Sequence, residues 1–195
     1  NGFKSNMRVI SNGIDIPAMP VKASVPQTDP LILLCTGRFA HEKSQMTLIQ
    51  AMRYSRHADR IQLFFAGKGP LQNDYSEAAD HLVDEGILKH RASFGFHTKE
   101  ELKELASKAY LYIHCATVEV EGLSCLEAIR EGTVPIIAEG ALAATSQLAE
   151  KIDWWVEHPE ERIAMGQAYA DSARSYNIDY SIAQIIQMYN HAMAI

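Results

Sequence analysis

This sequence predicts an α/β fold, a parallel sheet with helices on both faces followed by a helical C-terminal tail, and three observations carry that expectation. Short apolar runs recur between residues 31 and 137, each ending in a turn and then a stretch of helical periodicity. The runs are nearly continuous in apolar residues rather than alternating, as strands covered on both faces are. After the last run the pattern becomes largely helical.

The elements follow in order. Leu31–Thr36 is the first strand, left through Gly37-Arg38-Phe39-Ala40-His41-Glu42-Lys43 into a helix marked by Met46, Leu48, Ile49 and Met52. Ile61–Ala66 is the second; Gly67-Lys68-Gly69-Pro70 turns from it into a helix expected over Leu71–Glu85, with Pro70 at a first helical position. The two glycines suit a tight turn. Ala92–Phe96 is the third strand, with His97-Thr98 leading to a helix over Lys99–Ala109. Tyr110–His114 and Val134–Ala138 are the fourth and fifth strands. Between them a loop carries Glu119, and a helix that Ser124 can cap carries Glu127.

In the tail, His158-Pro159-Glu160-Glu161-Arg162 opens a helix with Pro in its first turn, and Ile182, Ile185, Ile186 and Tyr189 mark a final amphipathic helix. Trp154 and Trp155 share a helix with Ile152 and Val156, so at least one of them belongs to the core rather than to a sugar-stacking platform. The stretch Pro17–Pro30 reads as a surface lead-in to the first strand.

Length and composition set the limits. The 195 residues suit one sizeable domain, 1–195, and an apolar share of 47% is ordinary for a globular chain. A net charge of −6 argues against bulk electrostatic binding of nucleic acid, yet leaves room for a small cationic pocket. Cys35, Cys115 and Cys125 lack paired metal-ligand spacing and read as reduced core residues of a cytoplasmic protein. No stretch reaches the roughly 20 apolar residues of a membrane span.

Chemistry concentrates at the strand exits, where parallel sheets bind ligands: Arg38, Gly67, His97 and Glu119 all fall just past one. Surface cations on a loop are ordinarily just solvated, but Arg38 and Lys43 leave one strand end together, a planar fork and a compact ammonium suited to a diphosphate. Gly122 opens the backbone at a helix start, so the amides of Gly122, Leu123 and Ser124 can hydrogen-bond a phosphate or a sugar hydroxyl. Glu119 and Glu127 would grip neutral diols on either side.

At these residues the chain resembles the retaining glycosyltransferases of family 4. Their signature is two glutamates with seven residues between them, then Ala, a later Gly and an apolar Pro-containing strand; Glu119, Glu127, Ala128, Gly132 and Val134-Pro135-Ile136-Ile137 fill those positions. The Arg38 and Lys43 spacing and the Gly67-Lys68-Gly69-Pro70 turn have counterparts in the same order. The resemblance implies that Glu119 holds the transferred sugar as the catalytic residue, Glu127 the ribose, and Arg38 and Lys43 the donor diphosphate. It also sets His97 beside the base.

The resemblance further implies one Rossmann-like half of a GT-B fold, the C-terminal donor-binding domain. Arg8-Val-Ile-Ser-Asn-Gly-Ile-Asp15 resembles the segment that enters that domain, so the chain is expected to begin mid-protein, without the N-terminal acceptor domain. The expected partners are a UDP- or GDP-linked sugar, the protein's own N-terminal domain, and a lipid or polysaccharide acceptor. No cofactor and no metal are implied. Location is expected to be cytoplasmic, with peripheral contact at the inner membrane face through the absent domain. The implied reaction is glycosyl transfer with retention, of the hexosyltransferase type, in polysaccharide or glycolipid synthesis, with the isolated domain inactive.

Two readings compete with it. A paired-carboxylate hydrolase would also use two acids, but the phosphate-facing cations and the parallel sheet favour transfer. A non-catalytic nucleotide-sugar-binding module is the other. The chain also departs from the family: the two glycines after the Pro-containing strand are reduced to Gly140, and Gln147 runs directly into Leu148 where a further short strand and loop are expected, so a segment reads as missing there.

Overall fold

The computed structural model describes residues 10–16, 29–119, 122–138 and 145–193. Five strands form one parallel sheet: β1 (Leu31–Thr36), β2 (Ile61–Ala66), β3 (Ser93–Gly95), β4 (Leu111–His114) and β5 (Val134–Ile137), in the order β3-β2-β1-β4-β5. β1 pairs along its whole length with β2, from Leu31 opposite Ile61 to Thr36 opposite Ala66, and on its other edge with β4 through Leu33 and Leu34. The chain thus builds outward from β1 to β3, then returns to the far side of β1 for β4 and β5.

Alternation within each strand divides the core between two layers. Leu31, Leu33 and Cys35 of β1, with Leu63 and Phe65 of β2 and Ile113 of β4, meet Leu48, Ile49 and Met52, Tyr75 and Leu82, and Leu148 and Ile152. Those residues belong to or adjoin helices α1 (Gln45–Ala51), α2 (Gln72–Asp84) and α5 (Thr145–Glu157). On the other face Leu34 and Tyr112 pack with Ala106 of α3 (Lys99–Lys108) and with Cys125 and Ala128 of α4 (Leu123–Arg130). Strands covered on both faces explain why the sequence shows continuous apolar runs.

The sequence-predicted strands are present, β1 and β2 with the expected bounds and β3, β4 and β5 shorter by one or two residues. β3 stops at Gly95 because it is an edge strand paired with β2 alone, and Phe96 beyond it is 71% exposed. Pro70 is not a helical residue: α2 begins at Gln72, since Leu71 N donates to Phe39 O at 3.2 Å and binds that turn to the loop after β1. Ser124 does not cap α4. Gly122, at φ 60°, is the cap residue, and Ser124 lies inside the first turn. Helix α5 runs unbroken through Gln147 and Leu148, leaving no strand at that point.

Helix α6 (Pro159–Ala173) carries its proline in the first turn, and α7 (Ile178–Met193) follows. Trp155 packs against the core while Trp154 is exposed and stacks on His158, ring centroids 4.3 Å apart. Ile182, Ile185, Ile186 and Tyr189 form an exposed apolar strip on α7. Residues 17–28 of the lead-in, Arg8 and Val9, Val120 and Glu121, and Gly140 lie outside the described residues. Among the described residues no helix is long and apolar enough to cross a membrane.

The loops after β1 and β2 pack backbone to backbone. A Cβ on Gly67 would stand 2.0 Å from Gly37 O and one on Gly69 2.4 Å from Phe39 O, both backbone atoms that cannot swing aside. Gly67→Ala is therefore expected to cost at least about 2 kcal/mol in urea unfolding, as overpacking does; an unchanged midpoint would contradict the close approach. Ser44, between the turn at His41–Lys43 and α1, holds φ 48° without being glycine. Ser44→Gly is expected to raise stability by up to about 1 kcal/mol by the same measurement.

Candidate functional site

Because β2 and β4 flank β1 on opposite sides, the loops leaving β1 and β4 diverge to opposite helical layers and open a crevice at the carboxyl ends of the strands. Lys43, at the end of a short 3-10 turn (His41–Lys43), reaches across it, and its Nζ donates to Glu119 Oε2 at 2.8 Å. Thr117, in the loop carrying Glu119, donates both its amide and its hydroxyl to Glu42 O, at 2.9 and 3.1 Å. The two loops are thereby joined by side-chain and backbone bonds.

Arg38 stands at the mouth, more than two-thirds exposed, and donates from Nη2 to Glu42 Oε1. That bond holds the Glu42 carboxyl below the usual carboxylate range. The loop itself is anchored by Gln45, which is buried and whose Nε2 donates to Arg38 O at 2.9 Å. Both cations thus emerge on a fixed backbone. Both pairs are open to solvent at least in part, so a polyanion can exchange for the carboxylates around Arg38 and Lys43.

Opposite them lies the start of α4. Cys125 N and Leu126 N donate to Gly122 O at 2.8 and 3.3 Å, so the amides of Leu123 and Ser124 precede the first intrahelical bond and project from the positive helix end. Gly122 borders Glu119: a Cβ on it would approach Glu119 Cγ to 3.9 Å. The Ser124 hydroxyl, rather than capping, is hydrogen-bonded to Tyr112, whose phenol also meets Thr36 Oγ1 at 2.8 Å. Burial pushes that phenol far above its ordinary pKa, so a neutral Thr36–Tyr112–Ser124 chain ties β1, β4 and α4 together beneath the crevice.

The structure brings Arg38, Lys43, Glu119, Gly122, Leu123 and Ser124 to this crevice. Glu127 is exposed on the second turn of α4. His97 turns inward from the end of β3 towards Phe64, ring centroids 6.0 Å apart. Phe96 projects there instead, with Lys68 Nζ 5.2 Å above its ring. Among the described residues no group of three His, Cys, Asp or Glu side chains gathers as a metal site.

Two features were missed in the sequence. Tyr112 and His114 read as ordinary members of an apolar strand, and only the exit of β4 beside Glu119 gives His114 a role. Its Nε2 lies 3.7 Å from Glu119 Oε2, and burial lowers its pKa against the pull of that carboxylate. Cys125 borders the same group; burial, then the Glu119 charge, push its thiol up to about 12.

This geometry has counterparts. A model of the family described as glycosyl transferases group 1 matches residues 21–145. The alpha-monoglucosyldiacylglycerol synthase of Streptococcus pneumoniae is 29% identical over 122 residues, 62% of this chain but 26% of that protein, so the match spans about a quarter of the relative's length. The catalytic domain of the cholesterol-alpha-glucosyltransferase from Helicobacter pylori superposes with a TM-score of 0.66 at 35% identity, over 76% of this chain and 99% of that one. An Anabaena protein, Alr3699/HepE, solved with UDP and glucose, superposes with a TM-score of 0.71 at 17% identity, over 84% of this chain and 49% of that one, a likeness of fold. The sheet order and flanking helices are those of the Rossmann-like half of a GT-B fold. With the family model covering most of its length, this chain belongs to the glycosyl transferases group 1.

Proposed function

We propose that this chain is the C-terminal, donor-binding half of a glycosyltransferase that moves a hexosyl group, with retention at the anomeric carbon, from a UDP- or GDP-linked sugar. The observation that carries this is the Lys43–Glu119 bond across the crevice between β1 and β4, beside the amide-rich start of α4 and below Arg38. A group with two phosphates fits between the two cations and those amides. A carboxylate alongside suits the hydroxyls of the sugar that the diphosphate carries. That the Anabaena neighbour was solved with UDP and glucose, and that the S. pneumoniae and H. pylori relatives are named for glucosyl products or transfer, supports the donor class.

In this reading the departing diphosphate gathers negative charge as the glycosidic bond breaks. Arg38, Lys43 and the Leu123 and Ser124 amides stabilise it where it forms, the arrangement that contributes most in such transfers. Glu119 orients the sugar, Glu127 takes the ribose by leaning back along α4 towards its start, and the base rests at the end of β3 near Phe96 and His97. The acceptor belongs to a partnering N-terminal domain, and the exposed strip of α7 offers apolar surface for covering by it.

Titration calorimetry with UDP and GDP tests the binding half. Arg38→Ala is expected to weaken the better ligand by tenfold or more, since charge-assisted hydrogen bonds are worth about 1.5–3 kcal/mol; equal affinity would remove the diphosphate role. For the catalytic half, Glu119→Gln in the full-length protein is expected to lower donor consumption by about 100-fold. Undiminished turnover would deny Glu119 that role, and a full-length protein that binds donor without turnover would be a binding module instead.

A further inference from the structure

We infer that His114 is a positioning residue for Glu119: from the carboxyl end of β4 its imidazole underlies the carboxylate that Lys43 grips from across the crevice. The inference rests on the proposed reading of Glu119 as the group that holds the donor sugar.

His114 ends a strand whose other residues, Leu111, Tyr112 and Ile113, are fully buried, and it is itself 7% exposed. A fourth apolar side chain would serve packing there. Burying an imidazole instead is unfavourable unless a polar group answers it. The polar group nearest to answering it is Glu119: His114 Nε2 faces Oε2 from 3.7 Å, an electrostatic contact longer than a hydrogen bond, and the same oxygen accepts from Lys43 Nζ at 2.8 Å. Two nitrogens, one from the turn before α1 and one from the end of β4, face one oxygen.

They differ in what a donor would do to them. Lys43 is on a long flexible stem, and a diphosphate competes for it with Glu119. His114 is short, sits in the sheet, and its carbonyl accepts from Ala138 N at 2.8 Å, so it stays in place when Lys43 turns to phosphate. His114 then still faces the carboxylate.

Two charged groups face the imidazole, Glu119 on the loop that follows and Lys43 from the turn before α1. β1 and β5 contain no charged residue. α4 adds the neutral Cys125 thiol; its Glu127 is exposed, and its Arg130 is engaged by Glu131 and the Asp15 carbonyl. Burial favours the uncharged ring, so its folded-state pKa lies below the ordinary value of about 6.5. The neutral form therefore persists above that value. As pH falls through the lowered pKa an imidazolium forms, closes on Glu119 and draws the carboxylate off the sugar.

The test is the affinity of UDP-glucose relative to UDP, with GDP-glucose and GDP in parallel, measured by calorimetry at about pH 5.5 and pH 7.5. His114→Leu is expected to lower the ratio at the higher pH about fivefold while bare UDP or GDP binds as before. His114→Gln, whose amide can stand near Nε2, is expected to restore much of it. Bare UDP and GDP gain a proton over this range whichever chain binds them, so the expected signature is a larger change of the ratio with pH in the unaltered chain than in both variants. In a Glu119→Gln background, His114→Leu should change nothing further. If Arg38→Ala weakens UDP or GDP but the ratio ignores His114, this inference is wrong and the donor site stands. If neither diphosphate binds, or Arg38→Ala leaves binding unchanged, the donor-site reading fails and takes this inference with it. Should His114→Leu not fold, His114→Gln decides: a ratio that changes with pH as it does in the unaltered chain overturns the inference.

Discussion

The position of β1 between β2 and β4 is the constraint on which the rest of the site depends. Full-length pairing with β2 on one edge and pairing through Leu33 and Leu34 with β4 on the other make β1 the central strand, and its exit loop opens at the crevice. Right-handed crossovers carry the chain away from β1 in one direction, then bring it back to the other side. Arg38 and Lys43 leave β1 towards one layer of helices, and Glu119 leaves β4 towards the other. The two groups face each other because the strand order reverses there.

Rigidity beneath the crevice comes from contacts that have no charge. Gly67 and Gly69 let two loops lie backbone to backbone, Gln45 holds the carbonyl of Arg38, and the Thr36–Tyr112–Ser124 hydroxyls join two strands to α4. Above this layer the charges are partly exposed and paired in ways a polyanion can exchange. An acidic chain, −6 overall, can thus present a local cationic edge without binding anions indiscriminately.

The sheet was legible because a parallel strand buried on both faces writes itself as an unbroken apolar run, and β1 and β2 have the predicted bounds at both ends. Arg38, Lys43 and Glu119 were legible from their place after such runs. Pro70 and Ser124 misled, since both are good helix starters by local preference. Leu71 is held by the Phe39 carbonyl and Gly122 takes the left-handed cap, each a tertiary demand that propensity does not contain. His114 and Tyr112 were illegible for another reason: in a run of apolar neighbours the pattern assigns them to the core, which is true, and hides that their polar atoms point to the crevice floor. His97 turns inward beside Phe64 and Phe96 outward to solvent, because the edge strand ends at Gly95.

The account's central claim is that a diphosphate binds in the crevice between the loops after β1 and β4. A crystal structure of this chain with a nucleoside diphosphate sugar tests it most directly. The account predicts phosphate oxygens within hydrogen-bond distance of Arg38, Lys43 and the amides of Leu123 and Ser124, with Lys43 withdrawn from Glu119 and the sugar beside that carboxylate. A diphosphate bound elsewhere, with the Lys43–Glu119 contact intact, would contradict it.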